Sequence, residues 1–172
     1  MKFRVLIGLL SLGSVAFSAL ANDKDHYKPL EPSLRMAIGY ADAELTVPGA
    51  SNSSTGLVFE FGGDFNKVLG INLEYASFSD FSNTNISASV YGVSFDVGYA
   101  FPMSSNLYIK PYGIIGGVRG DMDYVESQTS LTYGMGIRAY IGDNLYLSAE
   151  TKFAEFDLFD ARLITAKLGF KF

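Results

Sequence analysis

The sequence predicts an all-β fold, an eight-stranded antiparallel up-and-down transmembrane β-barrel. Three observations carry that prediction. From Ile164 onward every second residue is apolar (Ile164, Ala166, Leu168, Phe170, Phe172), with Thr165, Lys167, Gly169 and Lys171 between them. Such alternation marks a strand with one apolar face and one polar or small face. The chain is 48% hydrophobic and 15% aromatic, yet beyond Ala21 no apolar run is long enough for a transmembrane helix. High apolar content without long runs is what membrane strands produce, because each spends half its positions on the lumen. Third, the alternating segments are joined by connections that are long and short in turn, as expected when long loops face outside and tight turns face the periplasm.

Met1–Ala21 has a basic start at Lys2 and Arg4, an apolar core from Val5 to Phe17, and Ala19-Leu20-Ala21 at its end. That pattern predicts a cleaved signal peptide, so the segment is set aside from the fold. Asn22–Ser33 is polar and holds two prolines, which predicts an irregular periplasmic leader. Residues 34–172 then form one barrel domain. The predicted strands are Leu34–Leu45, Gly56–Phe65, Gly70–Ser79, Ser87–Phe101, Leu107–Arg119, Leu131–Ile141, Leu145–Phe153 and Arg162–Phe172. Long connections are expected at Thr46–Thr55, Asp80–Ile86, Gly120–Ser130 and Ala154–Ala161. Tight ones are expected at Asn66–Leu69, Pro102–Asn106 and Gly142–Asn144.

One face of these strands gathers large apolar residues, among them Met36, Ile38, Tyr40, Phe59, Phe61, Tyr91, Phe95, Tyr99, Tyr112, Ile114, Val118, Met135, Leu147 and Phe170. The other gathers small and charged residues. An eight-stranded barrel has an interior just wide enough for side chains or one small ligand. So many Phe and Tyr side chains do not fit there, which turns the apolar face toward lipid. The expected lumen holds an ionic network of Glu60, Glu74, Asp96, Arg119, Arg138, Glu150, Lys152 and Lys167 that plugs the barrel, since unpaired buried charge is costly. Gly62, Gly92, Gly98, Gly113, Gly134 and Gly136 make room for it. Tyr99, Phe101, Tyr108 and Phe172 are expected at a periplasmic aromatic girdle, and Tyr91, Tyr133 and Phe153 at an outer one, with no Trp in the chain. Lys110 falls on the lipid-facing parity, near enough to the rim to snorkel. Pro111 predicts a local irregularity in the ladder.

The ending Lys167-Leu168-Gly169-Phe170-Lys171-Phe172 resembles the C-terminal assembly signal of bacterial outer-membrane β-barrels, carried by Gly169, Phe170 and Phe172. The chain after the signal is similar to the small barrels of the OmpX/Ail and OmpA-barrel type. The resemblance implies a Gram-negative outer-membrane location and assembly by the outer-membrane barrel machinery through the last strand. It also implies contact with outer-membrane lipids and lipopolysaccharide, and a monomer. For the OmpX/Ail type it implies adhesion or evasion of host defence, a role that rests on loop residues not matched here.

Composition narrows the function classes. Without Lys2 and Arg4 the chain has 11 basic against 18 acidic residues, a formal charge of −7 rather than −5. Nucleic-acid binding, which needs basic patches, is excluded. There is no cysteine, hence no disulfide and no lipid-anchored cysteine. The single histidine, His26, lies in the leader, and no nucleophile–base pair or zinc-ligand spacing occurs, so no enzyme, cofactor or metal site is expected. The expected outer loops are acidic: Asp42, Glu44, Asp80, Asp121, Asp123, Glu126, Glu155, Asp157 and Asp160. They could bridge divalent cations or meet an extracellular partner, although solvated loop tips account for them more simply. The leading expectation is therefore a non-enzymatic outer-membrane barrel that serves envelope structure or surface binding. The alternatives are a small gated pore and, disfavoured by side-chain volume, a periplasmic lipocalin-like ligand-binding barrel.

Overall fold

The computed structural model describes residues 32–47, 50–79, 87–122, 125–156 and 159–172. The expected signal peptide, His26, Asp80, Asp123 and Asp157 lie outside these residues. The strands are β1 (Ser33–Val47), β2 (Ala50–Asp64), β3 (Leu69–Phe78), β4 (Ala88–Gly98), β5 (Phe101–Ser104), β6 (Leu107–Met122), β7 (Val125–Ile141), β8 (Leu145–Glu155) and β9 (Asp160–Lys171). Every pairing is antiparallel. β4 and β5 both pair with β6 and are parted only at Tyr99 and Ala100, so together they form one stave and the barrel has eight.

The cylinder closes between its first and last strands. β1 pairs with β9 from Arg35↔Lys171 to Thr46↔Asp160. Leu34 and Phe172 exchange backbone hydrogen bonds at 2.9 and 3.0 Å. Closure satisfies the strand backbones without water, which a lipid environment requires. At the opposite end from the long hairpins, Asn66 Oδ1 accepts from the backbone N–H groups of Val68 and Leu69, and Gly142 turns the chain with φ of 62°. A side chain disfavours that left-handed conformation, and glycine does not.

The two faces separate as side-chain volume demands. Met36, Ile38, Phe59, Phe61, Tyr91, Phe95, Met135, Leu147 and Phe170 point outward and are exposed. At the outer girdle Tyr75 packs on Tyr91, and Tyr133 stacks on Phe153. Phe172 is exposed at the other end, but Tyr99 and Tyr108 are buried and do not belong to a periplasmic girdle.

On β6 the structure reverses the expected phase. Tyr108, Lys110, Tyr112 and Ile114 face the lumen, while Pro111, Gly113 and Ile115 face outward. Lys110 is therefore fully buried and does not snorkel. The strand carries apolar residues at both parities, so hydrophobicity alone does not fix its orientation. Buried carboxylates opposite Lys110 do. The register runs unbroken through Pro111, and the irregularities fall at Pro102/Ser104 and Gly120/Met122 instead.

The outer hairpins are also longer than expected. Pairing continues to Val47↔Ala50 and to Met122↔Val125, across the segments Thr46–Thr55 and Gly120–Ser130 that alternation had assigned to loops. β1 and β2 have 15 residues each, β6 has 16 and β7 has 17. A tilted strand crosses a bilayer in about nine to eleven. In the projecting ends the polarity inverts. On β1, Met36, Ile38 and Tyr40 point out; beyond them Ala41, Ala43 and Leu45 point in, with Asp42 and Glu44 outward. On β6, Met122 turns inward while Arg119 and Asp121 are exposed. On β9, Leu163 turns inward beyond the outward Ile164. The reason is solvent: lipid surrounds the lower staves and water the upper ones, so the same strand must switch its apolar face.

Candidate functional site: the charged lumen

Below the inward apolar ends of β1, β6 and β9, the lumen is filled by ionised side chains from every stave. Among the described residues, five carboxylates (Glu60, Asp64, Glu74, Asp96, Glu150) form ion pairs with five cations (Arg35, Lys110, Arg138, Lys152, Lys167), and a sixth buried cation, Lys171, lies 5.8 Å from the Tyr140 ring centroid. Two clusters share this space. In the lower one, Arg35 lies 2.9 Å from Glu60, 2.9 Å from Asp64 and 3.4 Å from Asp96. Lys110 Nζ donates to Asp96 Oδ1 at 2.6 Å, and Arg138 reaches Asp96 at 3.4 Å and Asp64 at 3.7 Å. Lys110 and Arg138 are themselves opposite each other across the β6–β7 ladder. Like charges so placed repel, and the two aspartates between them supply the compensation.

In the upper cluster Lys167 Nζ sits 2.5 Å from Glu60, 2.6 Å from Glu74 and 2.8 Å from Glu150. Lys152 pairs with Glu74 and, at 2.9 Å, with Glu150. Glu60 joins the clusters, taking Arg35 on Oε1 and Lys167 on Oε2. The bonds cross the barrel as well as its ladders: Arg35 of β1 to Asp96 of β4, and Lys167 of β9 to Glu74 of β3.

Tyrosines complete the plug. Tyr112, Tyr140 and Tyr146 donate hydroxyl hydrogens to Glu150 (2.6 Å), Asp64 (2.8 Å) and Glu60 (3.0 Å). The Arg138 guanidinium stacks 4.7 Å from the Tyr112 ring centroid, a cation–π contact that suits a guanidinium with few remaining acceptors. Gly136 is required beside them, since a Cβ there would lie 2.7 Å from Tyr112 Cζ and 2.8 Å from Glu150 Cγ.

The structure brings together Glu60, Glu74, Asp96, Arg138, Glu150, Lys152 and Lys167, all of which alternation places inward. Arg119 is a correction. Its side chain is 59% exposed at the outer rim, where it pairs with Asp121 at 3.3 Å and donates to Ser127 at 2.7 Å. It lies where β6 has left the bilayer and its polar face has turned to water. Gly113 is outward for the phase reason given above. Alternation missed Arg35, Asp64, Lys110 and the three tyrosines. Gly169 faces inward against the Tyr146 ring, and Phe170 and Phe172 stand exposed on the outer surface.

Chemically, the site is already occupied by its own counter-ions. Carboxylate oxygens of Glu60, Glu74 and Glu150 lie within 4.8 Å of one another, close enough to hold a cation, and the Lys167 ammonium fills that role. At the rim, Glu44 accepts from Ser51 at 2.9 Å and pairs with Arg162 at 2.5 Å.

The barrel shape is shared with solved proteins. The attachment invasion locus protein Ail of Yersinia pestis is 20% identical with a TM-score of 0.57, covering 83% of this chain and 99% of Ail. A second Ail structure, holding the heparin analogue sucrose octasulfate, gives 19% identity and a TM-score of 0.51 over 83% and 99% of the two chains. Neisserial surface protein A is 15% identical with a TM-score of 0.57, over 81% of this chain and 97% of that one. At such identities the likeness shows the fold. No curated protein matches the chain in sequence. The outer membrane protein beta-barrel domain matches residues 7–172, a span that takes in all nine strands. The chain thus belongs to the outer membrane protein beta-barrel family and is an outer-membrane barrel protein.

Proposed function

We propose that the protein is a closed, non-enzymatic barrel whose work is done at its surface, in envelope structure or in binding through its acidic outer rim. The observation that carries this reading is the ion-pair network across the lumen, which ties opposite walls together through Asp64 with Arg138 and Glu74 with Lys152. A buried network of this kind is costly to open, because separating one pair leaves an uncompensated charge. Lipid and lipopolysaccharide are the surroundings of its apolar band. Its rim carries Asp42, Glu44, Asp121, Glu126, Glu155 and Asp160 against Arg119 and Arg162, which favours a basic partner over a polyanion. Export rests on Met1–Ala21 as a cleaved signal, and assembly on recognition of Gly169, Phe170 and Phe172.

The experiment is single-channel recording in planar lipid bilayers. A silent wild-type protein supports the plugged barrel. Steady conductance that changes on Glu60→Gln or Arg138→Gln overturns it in favour of a small ion pore.

A further inference from the structure

Above the ion pairs the lumen changes character. Ala41, Ala43, Val58, Ala76, Phe78 and Ala88 form a buried apolar cluster facing the barrel axis, with Leu45, Val90, Met122 and Leu163 packed against it. These walls do not meet: they leave a cavity of about 100 Å³. Its floor is made by Glu74 and Lys152, which engage each other and the network beneath. Toward the outside it is lined by Phe156 and Phe159, whose rings lie 4.7 Å apart and whose backbones are joined by the Phe156 N–H to Phe159 O hydrogen bond at 2.9 Å.

We propose that this upper chamber is a binding site for a small apolar molecule, a short alkyl chain or a single ring. The inference goes beyond the proposed surface role and does not depend on it. Walls of apolar side chains offer water few partners, and an engineered apolar cavity of about 150 Å³ in another protein takes up benzene. Wall atoms facing a void lose dispersion contacts that a ligand restores. The ionic floor sets the depth of binding, since an apolar molecule cannot replace the partners of Glu74 and Lys152. The site is therefore a blind pocket entered from the outer end. The polarity inversion of β1, β6 and β9 is what builds it.

The test uses the full barrel refolded into lipid nanodiscs, with diazirine-bearing octanol as photo-probe and adducts mapped by peptide mass spectrometry. Expected are adducts on the inward Glu74, Phe78 and Met122, lost on adding excess octanol and lost in Ala76→Phe, which fills the chamber. Adducts on the lipid-facing Ile115 and Leu131 should persist throughout. Adducts confined to the lipid face, or inward adducts unchanged in Ala76→Phe, overturn the proposal. Folding of each variant is read from its boiling-dependent gel shift, and Ala88→Leu serves in place of Ala76→Phe if that variant does not fold. Failure of the wild-type protein to show the shift would overturn the barrel and the chamber with it.

Discussion

Glu60 and Glu74 stand directly opposite each other across the β2–β3 ladder, and one ammonium, Lys167 Nζ of β9 on the other side of β1, joins them at 2.5 and 2.6 Å. Facing carboxylates on adjacent strands repel. The repulsion is turned into a cross-barrel tie because the third wall supplies the cation. β2 and β3 are thereby held to β9, the strand that closes the cylinder against β1.

Lys167→Met is expected to lower stability by about 3–5 kcal/mol, the usual consequence of removing one partner from a buried ionic group. The midpoint of urea unfolding in lipid vesicles measures it. Adding Glu60→Gln to Lys167→Met should recover part of the loss, because the repulsion left behind is then reduced. Strict additivity of the two substitutions would show that Lys167 does not act through Glu60.

The inverted polarity of β1 makes a positional prediction. Ile38 sits in the lipid-facing band, opposite Phe59 and Leu168, whereas Asp42 lies two outward positions higher. Ile38→Arg should cost about 2–4 kcal/mol, as a cation in the lipid-facing band of a membrane barrel does. Asp42→Arg should stay within about 0.5 kcal/mol, as surface changes do. Equal costs would mean that the bilayer boundary does not fall between them.

Two inward glycines separate a packing demand from a mere preference for small residues. A Cβ on Gly136 would strike Tyr112 and Glu150 at 2.7 and 2.8 Å, but on Gly92 the nearest neighbour is 3.9 Å away. Gly136→Ala should destabilise by about 1–3 kcal/mol through overpacking. Gly92→Ala should be neutral or gain about 0.5 kcal/mol by restricting the unfolded chain. Paired unfolding curves decide it, and similar effects at both positions would contradict the clash.

How far the sequence could be read depends on whether hydrophobicity was a one-sided signal. On β9, from Ile164 to Phe172, apolar residues hold one parity, and on β2 the large ones, Leu57, Phe59 and Phe61, do so with Val58 alone on the other, so Glu60 and Lys167 are legible as inward. On β6 both parities are apolar around Ile114 and Ile115, and the phase slipped, taking Lys110, Tyr112 and Arg119 to the wrong side. Asp64 was lost because it sits at a strand end beside a turn, where a carboxylate looks like ordinary loop chemistry. Alternation assigns the outer hairpins to loops because it restarts in the opposite phase after Tyr40 and Ile115. A change of apolar parity within one strand, from Ile38 and Tyr40 to Ala43 and Leu45, was the signal available, and it marks where lipid gives way to water.

The last strand separates folding from assembly. Leu34 and Phe172 hold each other through backbone hydrogen bonds, so closure there makes no use of the Phe172 ring, which is 61% exposed on the outer surface. Phe172→Ser keeps those bonds and removes only the ring. If the ring serves recognition by the assembly machinery, this substitution should sharply reduce the heat-modifiable protein recovered from outer membranes of living cells. Refolding of the same variant from urea into lipid vesicles should remain close to wild type, with loss of at most about 1 kcal/mol for one partly exposed aromatic. An equal defect in both settings would assign Phe172 to barrel stability, and no defect in cells would remove the assembly role. The comparison is informative because the two interactions of this residue are made by different atoms.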